Sequence, residues 1–170
     1  MPPPLHAAAA HGIAYRPASD EDLPFFAALY ASTRAEELAA TGWPVEAQHA
    51  FLLQQHEAQH SHYRRVYADA ERLVIERGGE MLGRLYLAEW ASEIRIVDIS
   101  LMPACRRQGV GEAILRDVQD DAASRGKAVS IHVEKNNPAR RLYARLGFRI
   151  IEDKGIYDLM SWSAGATAGA

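Results

Sequence analysis

Apolar positions along the chain follow two rhythms, alternation and helical spacing, and the switches between them mark out the elements. Ile13 to Arg16 reads as a short strand that Pro17 ends. Ser19 then opens a helix, because the Asp22 carboxylate can reach back to the Ser19 backbone as a capping box. Leu23, Phe26, Ala27 and Tyr30 follow at helical spacing, so this helix is expected to reach about Ala31. A second helix is expected from Pro44, since proline suits a first helical position, with Ala47, Phe51, Ala58 and Tyr63 facing inward.

The period changes at Leu73-Val74-Ile75, a strand, and Gly78-Gly79 predicts a tight hairpin into a return strand from Leu82 to Trp90. Glu93 to Leu101 continues the antiparallel run. After a loop at Pro103, Ile114, Leu115 and Val118 line one face of a helix expected from Gly109 to Gly126. Ala128 to Val133 is a strand, and Pro138 opens a helix that Gly147 closes. Phe148 to Ile151 and Ile156 to Ser161 form a hairpin around Asp153-Lys154-Gly155. The order is β-α-α-β-β-β-α-β-α-β-β. Strand 93–101, helix 109–125 and strand 128–133 make the clearest βαβ unit. The fold class expected is α/β: a mixed, mostly antiparallel sheet with helices on both faces and one parallel unit at its centre.

A length of 170 residues suits one domain, taken as 13–162, between flexible tails at 1–12 and 163–170. With 48% apolar and 24% charged residues the chain is neither disordered nor fibrous. A net charge of −3 gives no overall attraction to nucleic acid or an anionic membrane, so neither is expected as a partner. The single cysteine, Cys105, excludes an intrachain disulfide. Apolar runs fall short of the roughly 20 residues of a membrane span, and the opening lacks the pattern of a signal peptide. A cytoplasmic location is expected.

The richest chemistry lies between Asp98 and Leu115, where a strand enters a loop holding Arg106, Arg107, Gln108, Gly109, Val110 and Gly111, then a helix. Helix N-termini offer unpaired N–H groups and a positive pole, and glycines let an anion approach the backbone. Two arginines add local positive charge. The result suits a diphosphate, although a glycine-relieved turn before a packed helix gives the same letters. The loop is neither a P-loop nor a complete dinucleotide fingerprint, since Ile114 stands in the third glycine's place.

Arg106-x-x-Gly109-x-Gly111, after a hydrophobic strand and Pro103, resembles the Arg/Gln-x-x-Gly-x-Gly/Ala motif of the GNAT (GCN5-related) N-acetyltransferases. Downstream, Asn136-x-x-Ala139-x-x-Leu142-Tyr143-x-x-x-Gly147-Phe148 resembles that family's second signature, and the likeness covers roughly residues 13–162. The resemblance implies a GNAT-like fold whose strands 93–101 and 128–133 splay apart, with acetyl-CoA as co-substrate. It implies that Ile99, Ser100 and Leu101 pair with the pantetheine, and that the loop from Arg106 through Gly111 holds the pyrophosphate. Asn136 and Ala139 would lie at the pantetheine, and Tyr143 near the sulfur.

Acyl transfer to an amine requires removal of the amine's proton, stabilisation of an oxyanion and protonation of the departing thiolate. Tyr143 suits the last task, since a phenol of pKa near ~10 is a donor at neutral pH; its plainer role is packing with Leu142 and Leu146. No residue stands out as the base. Where some family members carry a glutamate this chain has Arg95, leaving Glu93 and Asp98 as the nearest carboxylates, with His132 and Glu134 on the neighbouring strand or a water chain as alternatives. Cys105 is read as incidental.

Two other functions compete. His56-Glu57-Ala58-Gln59-His60 spells the HExxH of zinc hydrolases, but Glu76 and Glu80 fall in a strand and a turn rather than on a following helix, so no metal is expected. An acyl-CoA sensor without turnover would not need both Asn136 and Tyr143. The acceptor, a small-molecule or peptide amine, would be chosen by residues 20–66, and Trp90 and Trp162 could face the partner in a homodimer.

Overall fold

The computed structural model describes residues 1–166, and the last part of the expected C-terminal tail, 167–170, lies outside them. The strands are β1 (Ile13–Pro17), β2 (Glu71–Arg77), β3 (Glu80–Glu89), β4 (Glu93–Leu101), β5 (Ala128–Glu134), β6 (Arg149–Asp153) and β7 (Tyr157–Trp162). They form one sheet in the order β1-β2-β3-β4-β5-β7-β6, antiparallel throughout except for the β4–β5 pair. Gly78 and Gly79 both adopt positive φ, 58° and 81°, as the mirror-image turn of a tight hairpin requires.

Among the described residues, four α-helices cover the sheet: α1 (Leu23–Ala39), α2 (Val45–Val66), α3 (Val110–Ser124) and α4 (Arg140–Arg145). The larger core joins α3 and α4 to one face, with Leu85, Ile96 and Ile114 fully buried. Burying each such side chain contributes about 1.5–3 kcal/mol. A smaller core of Phe26, Leu29, Val74 and Tyr86 seats α1 and α2 on the other face. No helix among the described residues is long and apolar enough to cross a membrane.

Four expectations need correction. Helix α1 runs on to Ala39, because Ser32 and Thr33 turn their hydroxyls back to the Leu29 and Tyr30 carbonyls and so stay inside it. On α2, Ala47, Phe51 and Ala58 are exposed. Its inward side carries buried His56 with half-buried Gln59, His60 and Tyr63, since the sheet beneath presents Arg84 and Asp98. The helix therefore matches a polar surface, which an apolar pattern cannot reveal.

The third correction concerns residues 1–12, expected as a flexible tail. Ala8 to His11 form a 3₁₀ turn, Ala8 is fully buried, and Leu5 and Ala7 pack on the larger core. The backbone N–H groups of His6, Ala7 and Ala8 all donate to the Asp117 carboxylate of α3, at 3.1, 2.7 and 3.0 Å. Trp162, expected to face a partner, lies instead against Gly147 and the larger core; Trp90 is exposed and stacks under the Arg95 guanidinium.

Candidate active site

The site begins with one surplus residue in β4. Opposite β3 the register runs Tyr86↔Asp98 and then Leu87↔Ile96, which leaves Val97 as a β-bulge. The parallel pairing with β5 stops at the same point, its last pair being Ile96↔Ile131. The bulge turns Val97 and Asp98 to the same face, where Val97 joins the smaller core and Asp98 meets Arg84. Beyond it, half-buried Ile99, Ser100 and Leu101 keep their bonds to β3 but have no strand on the β5 side. Unpaired backbone groups of that kind recruit an extended chain. A slot therefore opens between β4 and β5.

At the end of β4 the chain enters the glycine loop. Arg107 and Gly109 both take positive φ, 60° and 80°, and α3 starts at Val110 without a side-chain cap. Among the described residues the N–H groups of Val110, Gly111 and Glu112 have no partner, so the positive pole of a 15-residue helix is open. A β-carbon on Gly111 would meet only Leu101 Cδ1, at 3.7 Å, which leaves space above the backbone. Arg106 turns back instead: its Nε donates to the Leu101 carbonyl at 2.9 Å and its NH2 to Ser32 Oγ at 3.3 Å, clamping the loop to α1. The Gln108 amide likewise donates to the Ala104 carbonyl, 2.8 Å away.

Helix α4 supplies the other wall. Asn136 is exposed in the turn after β5 and Ala139 is half-buried, its N–H donating to Asn137 Oδ1 at 2.9 Å. Gly147 ends the helix region at φ 94°, where a β-carbon would press on Trp162 at 3.1 Å. Tyr143 is buried edge-on against Phe148. Burial, and then the Asp98 carboxylate, push its phenol well above the ordinary range, so it remains an O–H donor at any physiological pH. Tyr143 belongs to the larger core, whereas Asp98 belongs to the polar network on the other face of the sheet.

On the α1–α2 side the polar groups form a network that sequence reasoning missed. Arg84, on β3, donates to Asp98 at 2.7 Å and to Gln59 at 2.6 Å, with its guanidinium over the Phe26 and Tyr86 rings. Asp98 also accepts from Ser100 Oγ at 2.6 Å and from Tyr63 at 3.3 Å. Glu93 lies at the closed end of the β4–β5 pair, five residues or about 16 Å from Asp98 at strand rise, and faces Arg95. Asp98 thus sits at the bulge where the slot opens, and Glu93 lies apart from it.

The neighbouring groups are also engaged. Arg95 NH1 lies 3.3 Å from His132 Nδ1; a guanidinium can only donate, so Nδ1 accepts and the ring proton sits on Nε2. Burial and then Arg95 hold His132 below the usual histidine range. Glu134 accepts from Arg34 of α1 at 3.1 Å. The His56 and His60 rings stack 6.4 Å apart, Glu57 faces solvent, and no third potential metal ligand joins them among the described residues. These two histidines line the polar underside of α2.

A family model described as the acetyltransferase (GNAT) family matches residues 31–148. No curated protein sequence matches at a significant level. Among solved structures, the chain is similar to the PaiA N-acetyltransferase of Thermoplasma acidophilum in complex with coenzyme A, at TM-score 0.66 and 16% identity, covering 89% of this chain and 98% of that one. It is similar to a GNAT family acetyltransferase of Elizabethkingia anophelis with acetyl-CoA bound, at TM-score 0.55 and 18% identity over 89% and 98%. It is also similar to Naa50 of Arabidopsis thaliana in complex with the bisubstrate analogue CoA-Ac-MVNAL, at TM-score 0.59 and 16% identity over 89% and 99%.

Proposed function

Because the chain belongs to the GNAT acetyltransferase family and is therefore an acyltransferase, we propose that it transfers an acetyl group from acetyl-CoA to a primary amine by direct attack. The observation that carries this reading is the coincidence of three features at one slot: the bulge at Val97, the end of β4–β5 pairing at Ile96, and the open N-terminus of α3. The edge of Ile99, Ser100 and Leu101, where no strand pairs on the β5 side although the Leu101 carbonyl already accepts from Arg106, would pair with the pantetheine amides, with Asn136 and Ala139 on the facing side. Backbone N–H groups from Arg107 to Gly111, Gln108 and Val110 included, would hold the pyrophosphate, while Arg106 keeps the loop in shape. The co-substrate supplies an activated acyl group; the protein orients it and manages protons.

Tyr143 is assigned as the donor to the departing sulfur, its raised phenol keeping the proton available. Asp98 is a poor free base because Arg84, Ser100 and Tyr63 occupy its oxygens, and Glu93 is too distant. We assign removal of the amine proton to water at the slot, with Asp98 holding Arg84 beneath it. The acceptor is read as a small-molecule or peptide amine, a choice supported by the peptide-bearing analogue bound to the Naa50 neighbour. A cytoplasmic location fits the lone, buried Cys105, and exposed Trp90 offers one surface for a homodimer.

The test is Gly111→Asp, which places a carboxylate where only Leu101 is near. Calorimetry should show severe loss of acetyl-CoA binding while far-UV circular dichroism stays native. Unchanged affinity would remove the loop from the site. With binding in hand, thiol release across a panel of amines identifies the acceptor.

A further inference from the structure

The first residues of the chain end at the loop that opens α3. Asp117, only 1% exposed, anchors them by accepting three backbone N–H bonds at the start of the 3₁₀ turn Ala8–His11. A buried carboxylate with three donors is a strong fastening, since an unpaired charge there would be costly. Gly12, at φ 71°, then reverses the chain into β1. Held between that anchor and that reversal, His11 has little freedom in where it stands.

It stands against Gly109. A β-carbon built on Gly109 would lie 3.5 Å from His11 Cε1 and 3.8 Å from Nε2, so this edge of the imidazole borders the residue just before the first open N–H groups of α3. The ring is half-exposed, and among the described residues neither of its nitrogens has a partner. A buried anchor thus fixes a donor-bearing ring at a positive pole, and the protein itself makes no use of the donor.

We infer that His11 is an additional phosphate-binding residue of the coenzyme site, its imidazole N–H donating to a phosphoryl oxygen held at the N-terminus of α3. The inference rests on the coenzyme reading given above. An imidazole can donate in either protonation state, and it adds positive charge when protonated. Coenzyme A offers two sources of such an oxygen, its 5′-diphosphate and its 3′-phosphate.

Calorimetric titration of the full chain with coenzyme A and with 3′-dephospho-coenzyme A separates the cases. His11→Ala should weaken coenzyme A binding about tenfold, the scale of one hydrogen bond to a charged group. His11→Glu should weaken it further, and His11→Gln, which keeps an N–H donor, should restore most of it. A loss equal for both ligands assigns the contact to the diphosphate; a loss confined to coenzyme A assigns it to the 3′-phosphate. Either outcome supports the inference. Wild-type affinity for both ligands in the Ala and Glu variants overturns it, as does a loss that Gln fails to restore and Glu does not deepen, which marks a steric role. If the wild type binds neither ligand, the coenzyme reading itself fails, and that result is distinct.

Discussion

At the scale of single residues, Tyr143 separates chemistry from binding. Tyr143→Phe keeps the ring and its edge-on contact with Phe148 but removes the only group assigned to protonate the thiolate. The turnover number should fall by about 10²–10⁴-fold while the acetyl-CoA dissociation constant stays nearly constant, because the glycine loop and the β4 edge are untouched. Wild-type turnover under conditions where chemistry limits the rate would reassign Tyr143 to packing. The motif letters single out Gly109, Gly111, Asn136 and Tyr143 as candidates from sequence, since each answers a local demand. Arg84 was not legible. Between Leu82 and Leu85 it reads as the outward position of an alternating strand, and only the polar underside of α2, from another part of the chain, shows that it is buried and paired.

The elements were legible where the pattern was apolar. Strands β2 to β5 and helix α3 lie close to where the spacing predicted them, whereas α2 was phased on Phe51 and Ala58 and in fact turns His56 and Gln59 inward. The bulge in β4 could not be read at all, since a surplus residue exists only relative to a partner strand. Gly83, opposite Leu101 further along the same strand pair, is equally silent in sequence: a β-carbon there would lie 2.0 Å from the Ser100 carbonyl oxygen. Gly83→Ala must therefore push β3 from β4 along the wall of the slot. We expect a loss of roughly 3 kcal/mol or more in denaturant unfolding, at the upper end for one substitution, together with weaker acetyl-CoA binding. A variant of unchanged stability would show that the strands can part there at little cost.

For the molecule as a whole, the two cores are held on opposite faces of one sheet, and histidines on the α1–α2 side make its stability depend on pH. His56 is depressed by burial and then by Arg84 and His60; His60 and His132 are depressed by burial first as well. The unfolded chain titrates these groups near the ordinary ~6.5, so below that value it binds protons that the folded state refuses. Their contribution is thus complete above pH ~6.5 and is lost as pH falls below it towards the depressed folded values. A second loss follows lower, because the Arg125 and Lys127 partners hold Glu89 at about 2, and the stability it adds above the ordinary carboxylate range disappears towards that value. Glu89 is half-exposed, so this second stage should be shallow. Thermal midpoints between pH 7.5 and 5.5 should fall in the wild type and fall less in His56→Gln. Parallel curves for the two proteins would exclude His56 as the source.

The docking of residues 1–12 on Asp117 also orders events in the life of the chain. Residues 6–8 leave the ribosome before their anchor, which lies 109–111 residues further on, and β1 must wait for β2, with Ile13 opposite Arg77. During synthesis the N-terminus therefore stays unfastened until α3 has been made. Contacts that close such long loops tend to form after the main barrier to folding. Weakening the Asp117 anchor would then shorten the lifetime of the native state more than it would slow refolding.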